Sequence, residues 1–133
     1  MLVRDAMSSN PIVIDADASL GEAFDILQAN SIRHLPVVKG GALVGMVSDR
    51  DLRSLMPRIA DAKTLERLMA RYDSPVSSVM ATDVETVHAE QDLNESIDVM
   101  LEMKVGALPV IDPSTNEVEG ILSYIDILRA LRD

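Results

Sequence analysis

Hydrophobic and polar positions along this chain switch between two periods, and each switch predicts a change of element. Ile12-Val13-Ile14 is a short β-branched run that predicts a strand. Ser19-Leu20-Gly21-Glu22 then sets a hydroxyl three residues ahead of a carboxylate, the layout of a capping box that opens a helix. Leu20, Ala23, Phe24 and Leu27 follow at i, i+3, i+4 and i+7 on one face, until Asn30-Ser31 break the stripe. Leu35-Pro36-Val37-Val38 predicts a strand whose proline suits a sheet edge, Lys39-Gly40-Gly41 a turn, and Leu43 to Val47 the partner strand. Ser48 opens a second helix through Asp51, Leu52 and Leu55.

The pattern then repeats. An offset of 73 positions carries Val3 onto Val76, Met7 onto Met80, Leu20 onto Leu93, and Leu35-Pro36-Val37 onto Leu108-Pro109-Val110. Two inserted residues raise the offset to 75, which carries Gly45 onto Gly120, Ser48 onto Ser123 and Asp51 onto Asp126. The second copy predicts a strand at Val84 to Val87, a cap at Asp92, a helical stripe of Leu93, Ile97 and Met100, and a longer turn over Asp112-Pro113-Ser114-Thr115-Asn116. A single copy is near the size at which burial on folding becomes marginal, so the two should pack on each other. The expected divisions are a first repeat over 1–56, a connecting segment over 57–75 with a helix from Arg58 to Tyr72, and a second repeat over 76–133. The fold class is α+β, two β-α-β-β-α repeats packed by pseudo-twofold symmetry into one compact module.

Charge and composition narrow the functions open to such a module. The 133 residues carry 22 acidic against 12 basic side chains, a net charge of −10, which repels DNA, RNA and anionic membranes. Only three aromatics are present, Phe24, Tyr72 and Tyr124, too few for base stacking. Without cysteine there is no disulfide, thiolate metal site or thiol nucleophile, and two separated histidines do not make a metal site. No apolar run reaches the ~18 residues of a membrane span and no secretory layout opens the chain, so a soluble, cytoplasmic protein is expected. Neither a Walker loop nor a dinucleotide fingerprint occurs, and Asp49 and Asp51 have no positioned nucleophile. No catalytic residues, and therefore no enzyme, are expected.

The chain resembles a tandem pair of CBS domains, also called a Bateman module. The resemblance rests on Met7, Pro11 to Ile14, Ile32-Arg33-His34-Leu35-Pro36-Val37-Val38 and Gly45-Met46-Val47-Ser48-Asp49-Arg50-Asp51-Leu52. The second copy answers with Val105-Gly106-Ala107-Leu108-Pro109-Val110-Ile111 and Gly120-Ile121-Leu122-Ser123-Tyr124-Ile125-Asp126-Ile127. The first copy is similar in wording to the CBS pair of acetoin-utilisation-type regulators, which typically carry an ACT domain; none is expected within these 133 residues. The resemblance implies no required cofactor, but an adenosine ligand, AMP, ADP or ATP, with NAD(H) or S-adenosylmethionine as alternatives, held between the repeats. It also implies a homodimer and signalling to an effector protein in trans.

Strand-to-helix junctions suit such a ligand, because the unpaired backbone N–H groups of a helix start favour an anion. A hydroxyl there can donate to phosphate or ribose, and an ionised Asp accepts from a ribose diol. These roles fall on Ser48 and Asp51, and on Ser123 and Asp126. The same residues also form a capping box that needs no ligand. The resemblance implies that Arg33 and His34 join Arg50 and Arg53 around Asp51, where arginine supplies forked donors that match phosphate. The matching positions around Asp126 are Gly106, Ala107, Ile125 and Leu128, with only Arg129 nearby, so that site lacks phosphate partners. The resemblance also implies lining from Ile12, Glu85 and Val105, with Glu85 on the strand that approaches adenine beside Asp51, although it stands where the first copy has apolar Ile12. The alternative reading is a dimerisation or docking module whose ligand sites have degenerated.

Overall fold

The computed structural model describes residues 1–54, 66–67 and 70–132, so Leu55 and most of the expected 58–72 helix lie outside the described residues. The chain forms two compact units. One comprises Val13–Lys39 and Val44–Thr82; the other comprises Met1–Ile12, Gly40–Leu43 and Asp83–Asp133.

In the first unit, β2 (Ile14–Asp15) leads through α2 (Leu20–Ala29) to β3 (His34–Lys39), β4 (Ala42–Ser48, whose first two residues fall in the other unit) and α3 (Asp49–Ser54). The predicted cap forms: the Ser19 hydroxyl accepts from the Glu22 backbone N–H at 3.1 Å. The helix stops at Asn30, where Ser31 takes a left-handed conformation with φ 52°. Gly40 and Gly41 make the β3–β4 turn at φ 59° and 86°, a region side chains resist. β2 pairs in parallel with β3, Ile14 opposite Val37 and Asp15 opposite Val38, so pairing starts later than the Ile12-Val13-Ile14 run predicts. Pro36 is not on an edge strand, because β3 lies between β2 and β4. It is tolerated because β2 pairs only with Val37 and Val38, leaving the proline outside the ladder on that side.

The second unit contains α1 (Val3–Ala6), β1 (Ser8–Ser9), α4 (Leu93–Met103), β5 (Ala107–Ile111), β6 (Val118–Ser123) and α5 (Tyr124–Leu131). Its sheet runs β1-β6-β5, and Val87 adds a single parallel bridge to Val110. Asp92 caps α4 by accepting from the Asn94 N–H at 2.8 Å, and Leu93 and Met100 of the predicted stripe are buried.

Each unit takes its opening segment from the other repeat. Val76, fully buried, joins Leu20, Ala23 and Leu27 of the first repeat in one core; Val3, fully buried, joins Leu93, Met100 and Leu108 of the second. The edge pairings are equivalent too, with Ala81 bridged to Met46 in one unit and Ser8 paired with Ile121 in the other. Compact units and sequence repeats therefore divide the chain differently.

Candidate functional site

The first candidate site opens α3. The Asp51 backbone N–H donates to the Ser48 hydroxyl at 3.0 Å, and the Ser48 N–H donates to Asp51 Oδ2 at 3.1 Å, a reciprocal capping box. The Asp49 N–H donates to the Arg33 carbonyl at 2.8 Å, which ties the segment ahead of β3 to the helix start. His34 follows, half-buried, and burial lowers its pKa below the ordinary 6.5; the Asp51 carboxylate opposes that shift and the Arg33 charge adds to it. The imidazole therefore stands neutral at neutral pH, where it can accept or donate a hydrogen bond. Arg33, Arg50 and Asp51 are exposed. Arg53 pairs with Asp49 at 2.9 Å along the helix and so is less free for an anion.

The second candidate site, at the start of α5, has the same frame and different contents. The Asp126 N–H donates to the Ser123 hydroxyl at 3.2 Å, and the Ser123 N–H donates to Asp126 Oδ2 at 2.9 Å. The Tyr124 N–H donates to the Gly106 carbonyl at 3.1 Å, repeating the Asp49–Arg33 bond. Here Asp126 is buried, 8% exposed, and its Oδ1 accepts from the Ser8 hydroxyl at 3.0 Å. Ser8 was not among the expected site residues, because it lies 118 positions away in a two-residue strand. The available signal is the repeat itself, since Ser8 corresponds to Ala81.

The expected residues fall into two groups. Arg33, His34, Ser48, Arg50 and Asp51 belong to the α3 unit; Ile12, Glu85, Val105, Ser123 and Asp126 belong to the α5 unit. Ile12 is 40% and Val105 38% exposed, and Glu85 is exposed as well. Among the described residues no cluster of three metal-ligating side chains occurs, and no helix is long and apolar enough to cross a membrane.

Comparison with known proteins adds to this geometry. The family model described as CBS domain matches twice, over residues 3–58 and 76–133. The chain belongs to the CBS domain family. A CBS domain-containing protein of Dictyostelium discoideum is 34% identical over 98% of this chain and 91% of its own length. Several other curated relatives are longer, among them three of which the chain spans about a quarter of the length. Among solved structures, a Vibrio cholerae protein assigned to acetoin utilization (AcuB) superposes with a TM-score of 0.81 at 30% identity, covering 97% of this chain and 88% of that one. CBSX2, solved in complex with AMP, gives 0.80 at 30% identity over 97% and 94%. The CBS pair of MJ0100, solved with 5′-methylthioadenosine and S-adenosyl-L-methionine, gives 0.79 at 27% over 99% and 100%.

Proposed function

We propose that this CBS pair is a non-catalytic regulatory module that binds an adenosine ligand, with AMP, ADP or ATP preferred over NAD(H) and S-adenosylmethionine. Asp51 and Ser48 hold the ribose, while Arg33, His34 and Arg50 face phosphate; Ile12, Glu85 and Val105 contribute lining, and Ser123 and Asp126 open a second helix start that lacks phosphate partners and takes an uncharged adenosine end or stays empty. One observation carries the reading: Asp51 is an exposed carboxylate with a single hydrogen bond among the described residues, in the same unit as Arg33, His34 and Arg50. The AMP bound by CBSX2 supports the ligand class. The module works in the cytoplasm, as a homodimer, on an effector protein in trans.

The dimer reading has its own support. Tyr124, Ile125, Leu128 and Leu131 of α5 are 49%, 46%, 62% and 58% exposed, a contiguous apolar face on one helix. The same face favours the second reading, a docking module without ligand.

A calorimetric and thermal-shift panel of AMP, ADP, ATP, NADH and S-adenosylmethionine separates the two. A ligand at about 100 times its Kd stabilises by roughly 2.7 kcal/mol, a rise of several degrees in Tm. Asp51→Asn keeps an oxygen for the helix cap but loses the charge that a diol seeks, so AMP affinity should fall about tenfold to a hundredfold, the equivalent of a charged hydrogen bond. Asp126→Asn should have a smaller effect. Silence across the panel leaves the docking reading; equal losses in the two variants exclude the assignment to Asp51.

A further inference from the structure

The two aspartates differ in how much acceptor capacity is already used. A carboxylate offers about four lone-pair sites. Asp126 uses three: Oδ2 accepts from the Ser123 N–H and from the Ser123 hydroxyl, each at 2.9 Å, and Oδ1 accepts from the Ser8 hydroxyl at 3.0 Å. Asp51 uses one among the described residues, from the Ser48 N–H at 3.1 Å. One of the two extra bonds at Asp126 comes from the Ser123 hydroxyl beside it, and the other traces to the strand register. Ser8 sits opposite Ile121 on β6 as Ala81 sits opposite Met46 on β4, but Ala81 has no hydroxyl to offer. Burial follows the same order, with Asp126 8% exposed and Asp51 exposed.

We propose that Ser8 is a selectivity residue that withdraws Asp126 from ligand binding, leaving Asp51 as the one of these two aspartates that can take a ribose diol. The proposal rests on the adenosine reading above and deepens it. A vicinal diol donates two hydrogen bonds to one carboxylate, and counting bonds among the described residues Asp126 has about one acceptance left while Asp51 has about three. Removing the Ser8 hydroxyl would leave two at Asp126, enough for a diol. The site so opened has no guanidinium equivalent to Arg33 or Arg50, since Gly106 and Ile125 hold those positions, so it would accept an uncharged nucleoside rather than a nucleotide.

Equilibrium dialysis with radiolabelled adenosine tests this on the full chain. The wild-type protein should bind about one equivalent per chain, Ser8→Ala about two, and Ser8→Ala combined with Asp126→Asn about one again. Ser8 is exposed, and Ser8→Thr retains the hydroxyl, so that variant should stay at the wild-type value and control for disturbance of β1. A second equivalent in the wild type, or an unchanged single equivalent in folded Ser8→Ala, overturns the role of Ser8 while the adenosine reading survives. No binding of any nucleoside or nucleotide to the wild type removes both.

Discussion

His34 shows how one residue can link the candidate site to the stability of its unit. Burial lowers its pKa from 6.5, so between that value and the folded one the unfolded chain binds a proton that the native chain does not. Stability is therefore full above the unfolded value and declines as pH falls through the folded one. The facing charges act in opposite senses, Asp51 favouring the protonated ring and Arg33 opposing it. His34→Gln removes the titration, so urea midpoints measured from pH 7.5 down to 5 should fall less steeply in the variant than in the wild type; parallel slopes would show that His34 is not responsible. At this scale the local chemistry was legible in the sequence. Ser19, Ser48, Asp92 and Ser123 all cap as their spacing predicts, because a cap depends on residues within one turn. The Ser8–Asp126 bond was not legible, since it depends on strand register across 118 positions.

Two pairs of elements explain residues whose spacing alone suggested a different purpose. Gly45 and Gly120 open the segments that resemble ligand-binding motifs, yet each has a packing reason to lack a side chain. A Cβ on Gly45 would lie 2.6 Å from Met80 Sδ and 2.8 Å from the Ala81 carbonyl oxygen; one on Gly120 would lie 2.8 Å from the Ser8 carbonyl oxygen and 3.0 Å from Met7 Sδ. The methionine can swing aside, but the backbone of the neighbouring segment cannot without breaking its pairing. Gly45→Ala and Gly120→Ala should each destabilise by about 1–3 kcal/mol, the usual cost of overpacking, read as a lower urea midpoint with unchanged slope. Wild-type midpoints in both would show that the segments yield freely. The repeat offset paired Met7 with Met80 and Gly45 with Gly120, but could not show that the methionine of one copy covers the glycine of the other. Sequence similarity aligns the copies in parallel, whereas the chain exchanges their opening segments.

For the whole molecule, net charge and exposed apolar surface act against each other. Chains carrying −10 repel one another, so self-association must come from a surface that gains more from leaving water than the charges lose. The α5 face is a suitable surface: α5 buries Asp126 and Ile127 and leaves Tyr124, Ile125, Leu128 and Leu131 open to solvent. The corresponding positions at the start of the first-repeat helix are Asp49, Arg50 and Arg53, two of them joined in an ion pair, so this face is not a general property of the repeat. If α5 joins two chains, light scattering should give twice the monomer mass at micromolar concentration, and Leu128→Glu should return it to the monomer. Salt should strengthen the dimer, because screening at 0.1 M shortens the reach of the repulsion to about 10 Å and leaves apolar burial intact. A dimer that weakens as salt rises would be held by ion pairs elsewhere, and a monomer at every concentration would remove the homodimer from the proposed mechanism. The ligand then connects to this equilibrium only through differential affinity: AMP alters the dimer constant if it binds monomer and dimer unequally, and leaves it unchanged otherwise. Measuring that constant with and without AMP, in the wild type and in Asp51→Asn, tests whether ligand binding at Asp51 biases any self-association of the chain.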